Sequence, residues 1–227
     1  MKIQGAIFDL DGTLLDSMGV WRKVDKDFLG KRGLPVPEDY MERVGTMSFP
    51  DAARYTVDLF HLSDTPQDLM DEWMEMAAYA YSNTVDAKPG VLPFLQTLKA
   101  RGVRLSVATA SNEVLFIPAL KRNGLWELFD AVTTLKEVKR GKGFPDIYEK
   151  AAEKLGLTAE SCAVFEDHPM GVRGALSGGF LTVAVHDVYA DKEEEELRGI
   201  ADYYLKDFND ALADMDPLLS GAFRKAR

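Results

Sequence analysis

Short apolar runs rich in β-branched residues alternate along this chain with stretches in which apolar positions return every three or four residues. The runs predict strands at Ile3–Phe8, Arg104–Thr109, Ala131–Thr133, Ser161–Phe165, Leu181–Val185 and Tyr203–Leu205, because a continuous apolar run suits a strand buried on both faces. Between them the helical spacing falls at about Leu92–Arg101, Glu113–Asn123, Asp146–Leu155 and Pro169–Ser177. Gly102, Gly124 and Gly156 each follow such a stretch, where a left-handed helix end favours glycine. Strand and helix in alternation predict an α/β core, a doubly wound parallel sheet covered on both faces.

The alternation breaks between Ser17 and Val85, where helical patterns come in succession. Ser48 with Asp51, and Thr65 with Asp68, fit the capping box that satisfies free amides at a helix start. After the second, Leu69, Trp73, Met76, Ala77 and Ala80 recur at helical spacing and predict one buried stripe. Residues 17–85 therefore read as a helical domain inserted into a core made of residues 1–16 and 86–227, with connections near Asp16–Ser17 and Thr84–Pro89.

Composition narrows the class. The chain has 227 residues, and no apolar stretch in it approaches the ~20 residues that cross a bilayer. The first apolar run is broken by acids too early for a secretory signal, so a cytoplasmic location and no membrane partner are expected. A net charge of −10 argues against a nucleic-acid partner, which needs a basic footprint. Cys162 is the single cysteine, which excludes an intrachain disulfide and a cysteine-based zinc site. The acidic run Asp191–Glu196 reads as a solvated helix surface.

Four short stretches stand at predicted strand ends, where open α/β sheets place their ligands. They are Asp9-Leu10-Asp11-Gly12-Thr13, Thr109-Ala110-Ser111-Asn112, Lys142 within GKGFPDIY, and Glu166-Asp167. Two carboxylates one residue apart repel, so a positive charge is expected between them. Each stretch alone has a plain alternative: a turn, a helix N-cap, a surface lysine, a polar loop. Together, in this order and each at a strand end, they point to one site.

The combination resembles the haloacid dehalogenase-like superfamily of phosphohydrolases over nearly the whole chain. The phrases DLDGTLLDS, KPGV, SVATAS, GKGFPDIY and FEDHPMGVRGA carry the resemblance, and within the superfamily they are most similar to the β-phosphoglucomutase and phosphoglycolate-phosphatase group. The resemblance implies a Rossmann-like core with an inserted α-helical cap that closes over it and chooses the substrate. It implies that Asp9 is the nucleophile, forming an aspartyl phosphate, and that Asp11 protonates the leaving oxygen and then takes a proton from water. Magnesium is the implied cofactor, held by the Asp9 carboxylate, the Asp11 backbone carbonyl and Asp167, with Glu166 beside it. Lys142 would neutralise phosphate oxygens, and the Thr109 hydroxyl and Ala110 amide would donate to them. The implied partner is a small phosphorylated metabolite, met by a monomer or weak homo-oligomer.

The chain also departs from the group. Ala110 stands where relatives often have Asn, and His168 where they usually have Ser. The histidine and arginine that mutases carry in the cap are missing from their usual places, which here read Gly19-Val20-Trp21 and Gly45-Thr46-Met47-Ser48-Phe49. Arg43 and Arg54 are the nearest substitutes, and Trp21, Met47 and Phe49 are apolar residues that could meet substrate or pack between helices. A phosphatase is therefore expected ahead of a phosphosugar mutase. A phosphoacceptor signalling module is more remote, because such modules are shorter and lack the insertion.

Overall fold

The computed structural model describes residues 2–45, 47–213 and 215–222. The chain divides into two compact units, Met1–Ser17 with Asp86–Arg227, and Met18–Val85.

The first unit is built on a sheet of β1 (Gly5–Phe8), β2 (Arg104–Thr109), β3 (Ala131–Thr134), β4 (Cys162–Glu166), β5 (Leu181–Val185) and β6 (Tyr203–Leu205). The order is β3-β2-β1-β4-β5-β6, and every pairing is parallel. The alternation of runs and helical patterns thus gives the doubly wound sheet it predicts. Ile3 and Gln4 precede β1: the Ile3 amide donates to the Leu219 carbonyl, while Gln4 donates to the Ser161 carbonyl and accepts from the Arg104 amide of β2. Ser161 belongs to a 3-10 turn rather than to β4.

The second unit holds α1 (Val20–Lys31), α2 (Tyr40–Gly45), α3 (Phe49–Phe60) and α4 (Pro66–Asn83). In the first unit lie α5 (Val91–Ala100), α6 (Glu113–Arg122), α7 (Asp146–Leu155), α8 (Pro169–Ser177), α9 (Glu194–Ile200), α10 (Phe208–Ala213) and α11 (Asp216–Ser220). Gly102, Gly124 and Gly156 all have positive φ just beyond their helices.

Side chains alternate across each strand, so the two faces of β1 enter different layers. Ile7 joins Ala108, Val164 and the α7 residues Ile147, Ala151 and Leu155 in one buried cluster. Phe8 points the other way and stacks on Phe165 at 4.4 Å between ring centroids, with Phe94 of α5 edge-on at 6.4 Å. Each such ring contributes about 1.5–3 kcal/mol by leaving water. Cys162 lies in the α7 layer, where burial pushes its thiol up to about 11 and leaves it a packing residue.

The helical unit packs on aromatic rings. Phe28 of α1 and Phe49 of α3 meet Trp73 of α4 at 5.5 and 5.7 Å. The buried stripe of α4 is Leu69, Trp73, Ala77 and Tyr81, at strict steps of four. Met76 and Ala80, expected in it, lie half-buried at its edge. Thr65 and Asp68 form the full capping box at the start of α4, while Ser48 caps α3 by accepting from the Asp51 amide.

Candidate active site

The strand order reverses between β1 and β4. The chain winds outward to β3 on one side and then returns to build β4 to β6 on the other, which opens a crevice at the carboxyl ends of β1 and β4. Asp9 leaves β1 there and Glu166-Asp167 end β4. The Asp9 amide donates to the Phe165 carbonyl at 3.0 Å and ties the two exits together.

Beyond Asp9 the chain turns sharply. The amides of Thr13, Leu14 and Leu15 all donate to the Leu10 carbonyl, and Gly12 has φ +83°, a conformation that side chains with a Cβ rarely adopt. The turn brings the buried Thr13 hydroxyl to Asp167, which accepts from it at 3.1 Å. It also sets the Asp11 carboxylate beside Ser17, whose hydroxyl donates to it at 2.6 Å.

Lys142 arrives from the loop ahead of α7. Its ammonium, only 11% exposed, donates to Asp9 and to Glu166, the latter at 2.7 Å. The Tyr148 hydroxyl of α7 donates to the same oxygen of Glu166, also at 2.7 Å. Two glycines of α8 make room: a Cβ at Gly174 would stand 2.0 Å from the Lys142 carbonyl, and one at Gly171 2.4 Å from the Glu166 carboxyl carbon.

The electrostatics follow from burial. Leaving water raises the Asp9 carboxyl well above its ordinary range; Lys142 opposes this, and Glu166, Asp167 and Asp11 add to it. Asp167 is pushed up to about 7, chiefly by burial and then by Glu166. Burial would lower the Lys142 ammonium, but Asp9 and Glu166 outweigh it and hold its proton more tightly than usual. The site is therefore short of positive charge, with one ammonium among several carboxylates.

Asp9, Glu166 and Asp167 each offer a carboxylate oxygen, all within 4.8 Å of one another. An all-oxygen, anionic set fits a hard divalent cation such as magnesium. Among the described residues a second trio, His186, Asp191 and Glu194, has comparable spacing, but its groups are engaged locally, His186 with Tyr204 and Glu194 with Arg198.

The structure thus brings Asp9, Lys142, Glu166 and Asp167 together. The Asp11 side chain sits outside the carboxylate trio, on Ser17. Thr109 is buried at the end of β2, the neighbour of β1, and its hydroxyl accepts from the Ser111 amide at 3.0 Å. Ala110 follows it and is exposed. Asn112 caps α6. His168 caps α8: its Nδ1 accepts from the Met170 amide at 3.2 Å, so the imidazole fills the capping role of a smaller polar residue. Arg43 and Arg54 make local ion pairs with Asp39 and Asp51 on exposed helix surface. Thr46 lies outside the described residues. Trp21 remains 37% exposed, edge-on to Phe49 at 5.5 Å.

Ser17, Tyr148, Gly171 and Gly174 also shape the site, and the sequence carries no clear local sign of it. Ser17 reads as a domain junction, and Tyr148 as one more apolar position of an amphipathic helix. The glycines sit in a helix, where a cost of about 1 kcal/mol relative to alanine is the one available hint.

The model of the haloacid dehalogenase-like hydrolases matches residues 6–185. The chain belongs to that family, and within it to the phosphohydrolases. It is 26% identical to a phosphorylated carbohydrates phosphatase of Thermotoga maritima, over 88% of this chain and 93% of that one. It is 30% identical to the fructose-1-phosphate phosphatase YqaB of Escherichia coli, over 81% and 97%. A solved haloacid dehalogenase family hydrolase of Deinococcus radiodurans, with bound phosphate and sodium, superposes with a TM-score of 0.76 at 26% identity, covering 96% of this chain and 98% of that one.

Proposed function

We propose that the protein is a magnesium-dependent phosphatase that hydrolyses a small phosphorylated metabolite, a sugar phosphate or similar monoester, through an aspartyl phosphate on Asp9. The observation that carries this reading is the Asp9, Glu166 and Asp167 trio, with Lys142 bridging two of its members, at the switch point of the sheet. The relatives named above, phosphatases of phosphorylated carbohydrates and of fructose 1-phosphate, support the substrate class.

Asp9 and Asp167, with the Asp11 backbone carbonyl and with Glu166 beside them, would hold the cation. When bound, it neutralises the carboxylates and a substrate phosphate, so that anion can approach anion. The residues do the rest. A carboxylate oxygen of Asp9 forms a bond to phosphorus as the bond from phosphorus to the ester oxygen breaks, and Asp11 gives that oxygen its proton. Water then attacks phosphorus, Asp11 takes the water's proton, and the bond to Asp9 breaks to release orthophosphate. Ser17 fixes the direction of the Asp11 carboxylate for both transfers. Lys142, held by Glu166 and through it by Tyr148, keeps the attacking carboxylate aimed and offers its charge to phosphate oxygens. The Thr109 hydroxyl keeps its proton to donate, and the Ala110 amide stands next to it. The helical unit 18–85 is the part that selects the substrate. A phosphatase is favoured over a mutase because Arg43 and Arg54, which would have to grip a second phosphate, pair with nearby acids, Asp39 in the turn before α2 and Asp51 on α3.

The test is a screen of magnesium-dependent phosphate release over sugar phosphates, phosphoglycolate and nucleotides, with isomerisation of β-glucose 1-phosphate followed alongside. Asp9→Asn is expected to lower turnover by at least about 10⁴-fold, out of the 10⁶-fold or more that enzymes supply, and to abolish phosphoenzyme trapped by acid quench. Substantial turnover in that variant overturns the assignment.

A further inference from the structure

A half-buried lysine that the reaction scheme does not use lies behind the catalytic turn. Lys88 stands where the chain re-enters the α/β unit, its amide bonded to the Leu14 carbonyl at 2.9 Å and its neighbour Ala87 bridged to Leu15. Its side chain is 13% exposed, and its ammonium reaches three acceptors: the Gly12 carbonyl, the His186 carbonyl at 2.7 Å and the Asp187 carboxylate at 2.8 Å. An ammonium has three N–H groups, so its donors are fully used. Asp187 is itself buried, and its other oxygen accepts from the Tyr189 amide at 2.8 Å. The lysine therefore has a fixed seat on the loop after β5 and grips the loop after β1.

From this geometry we infer that Lys88 is a positioning residue for the proposed hydrolysis. Through the Gly12 carbonyl it fixes the Gly12–Thr13 peptide, one residue beyond Asp11, and with it the turn that aims the Asp11 carboxylate. Gly12 lacks the steric constraint of a Cβ and sits at φ +83°, and its carbonyl is held by Lys88 from outside the turn, in addition to the turn's own amide bonds to Leu10 and Leu15. The gripped peptide leads directly into Thr13, which bonds Asp167, and Gly12 joins it to Asp11. A lysine that only stabilised the fold would have no selective effect on proton transfer.

The inference rests on the proposed phosphatase chemistry, and the experiment separates the two. Lys88→Met alone strands the buried Asp187 charge, so the informative variant is Lys88→Met combined with Asp187→Asn, which removes both charges. Turnover of a primary alkyl phosphate, whose leaving group needs a proton, is compared with that of p-nitrophenyl phosphate, whose leaving group does not. General acid catalysis is worth about 10²–10⁴-fold, so misplacing Asp11 is expected to lower kcat/KM on the alkyl ester, which reports phosphoenzyme formation and not the shared hydrolysis of the intermediate, by about tenfold or more. The aryl ester is expected to lose less, so the aryl-to-alkyl ratio rises by about fivefold or more. Hydrogen exchange supplies a readout independent of activity: residues 10–15 should exchange at least about tenfold faster while β1 stays protected.

Equal losses of kcat/KM on the two esters, no loss on either, or uniformly faster exchange across the core overturn the inference. So does a double variant that no longer folds, which would make the lysine's task stability. A wild-type protein silent on both esters counts against the phosphatase reading, and the local exchange then still decides whether Lys88 holds the turn.

Discussion

At the residue scale, Glu166 has the least freedom in the site. It is 1% exposed and accepts from Lys142 and Tyr148 at one oxygen. A buried carboxylate tolerates such a place only when partners replace the water it has lost. Tyr148 is the partner whose removal leaves the ion pair intact. Tyr148→Phe is expected to destabilise the protein by about 1–2 kcal/mol, the worth of a hydrogen bond to a charged group when a second donor remains. Urea unfolding measures that loss. Turnover should fall as well, because Lys142 is aimed through Glu166; an unchanged midpoint and rate would remove Tyr148 from the network. The spacing DLDGT singled out Asp9 and Asp11 as candidates, since two acids one residue apart at a strand end need an explanation. Nothing local marks Tyr148, whose hydroxyl matters because a distant strand brings Glu166 to it.

At the scale of elements, α8 reaches into the site more deeply than its sequence suggests. Glycine in a helix costs about 1 kcal/mol against alanine when space is open, so Gly174→Ala would stabilise an ordinary helix. Here the added methyl would meet the Lys142 carbonyl at 2.0 Å and the Phe144 carbonyl at 3.0 Å. Backbone, and not a flexible side-chain end, is in the way. Gly174→Ala is expected to cost about 1–3 kcal/mol, the usual range for overpacking, and to move Lys142 enough to lower turnover by about tenfold or more, since small displacements of positioning groups cost up to about 10²-fold. A thermal melt with a parallel rate assay checks both, and a stabilised, active variant contradicts the geometry. His168 teaches the same lesson in the other direction. Beside Glu166-Asp167 in sequence it reads as a loop residue, yet its ring nitrogen caps α8 and supports the helix that shapes the Lys142 loop.

At the scale of the whole molecule, the local and global charges oppose one another. The chain carries a formal charge of −10, while the proposed substrate is an anion. Long-range repulsion slows its approach, and salt screens that repulsion over about 30 Å at 0.01 M and about 10 Å at 0.1 M. At saturating magnesium, raising sodium chloride from about 10 to about 150 mM is expected to increase kcat/KM for a dianionic ester by about two- to threefold. A decrease across that range would mean that attraction within the site extends beyond it. Among the described residues no helix is long and apolar enough to cross a membrane.

The sequence by itself determined the sheet, because alternating apolar runs and helical spacings are local patterns that hold wherever the chain runs. It also determined which residue types stand at the strand ends, and with them the family. Only the tertiary structure decided who partners whom. Lys142 with Asp9 and Glu166, Tyr148 on Glu166, Thr13 on Asp167 and Lys88 under Gly12 are contacts between residues from 18 to 154 positions apart. Strand order and helix packing create those meetings, and no local pattern encodes them. The raised carboxyls of Asp9 and Asp167 follow from the same cause, since burial and clustered charge exist only once the strands β1 and β4 lie side by side.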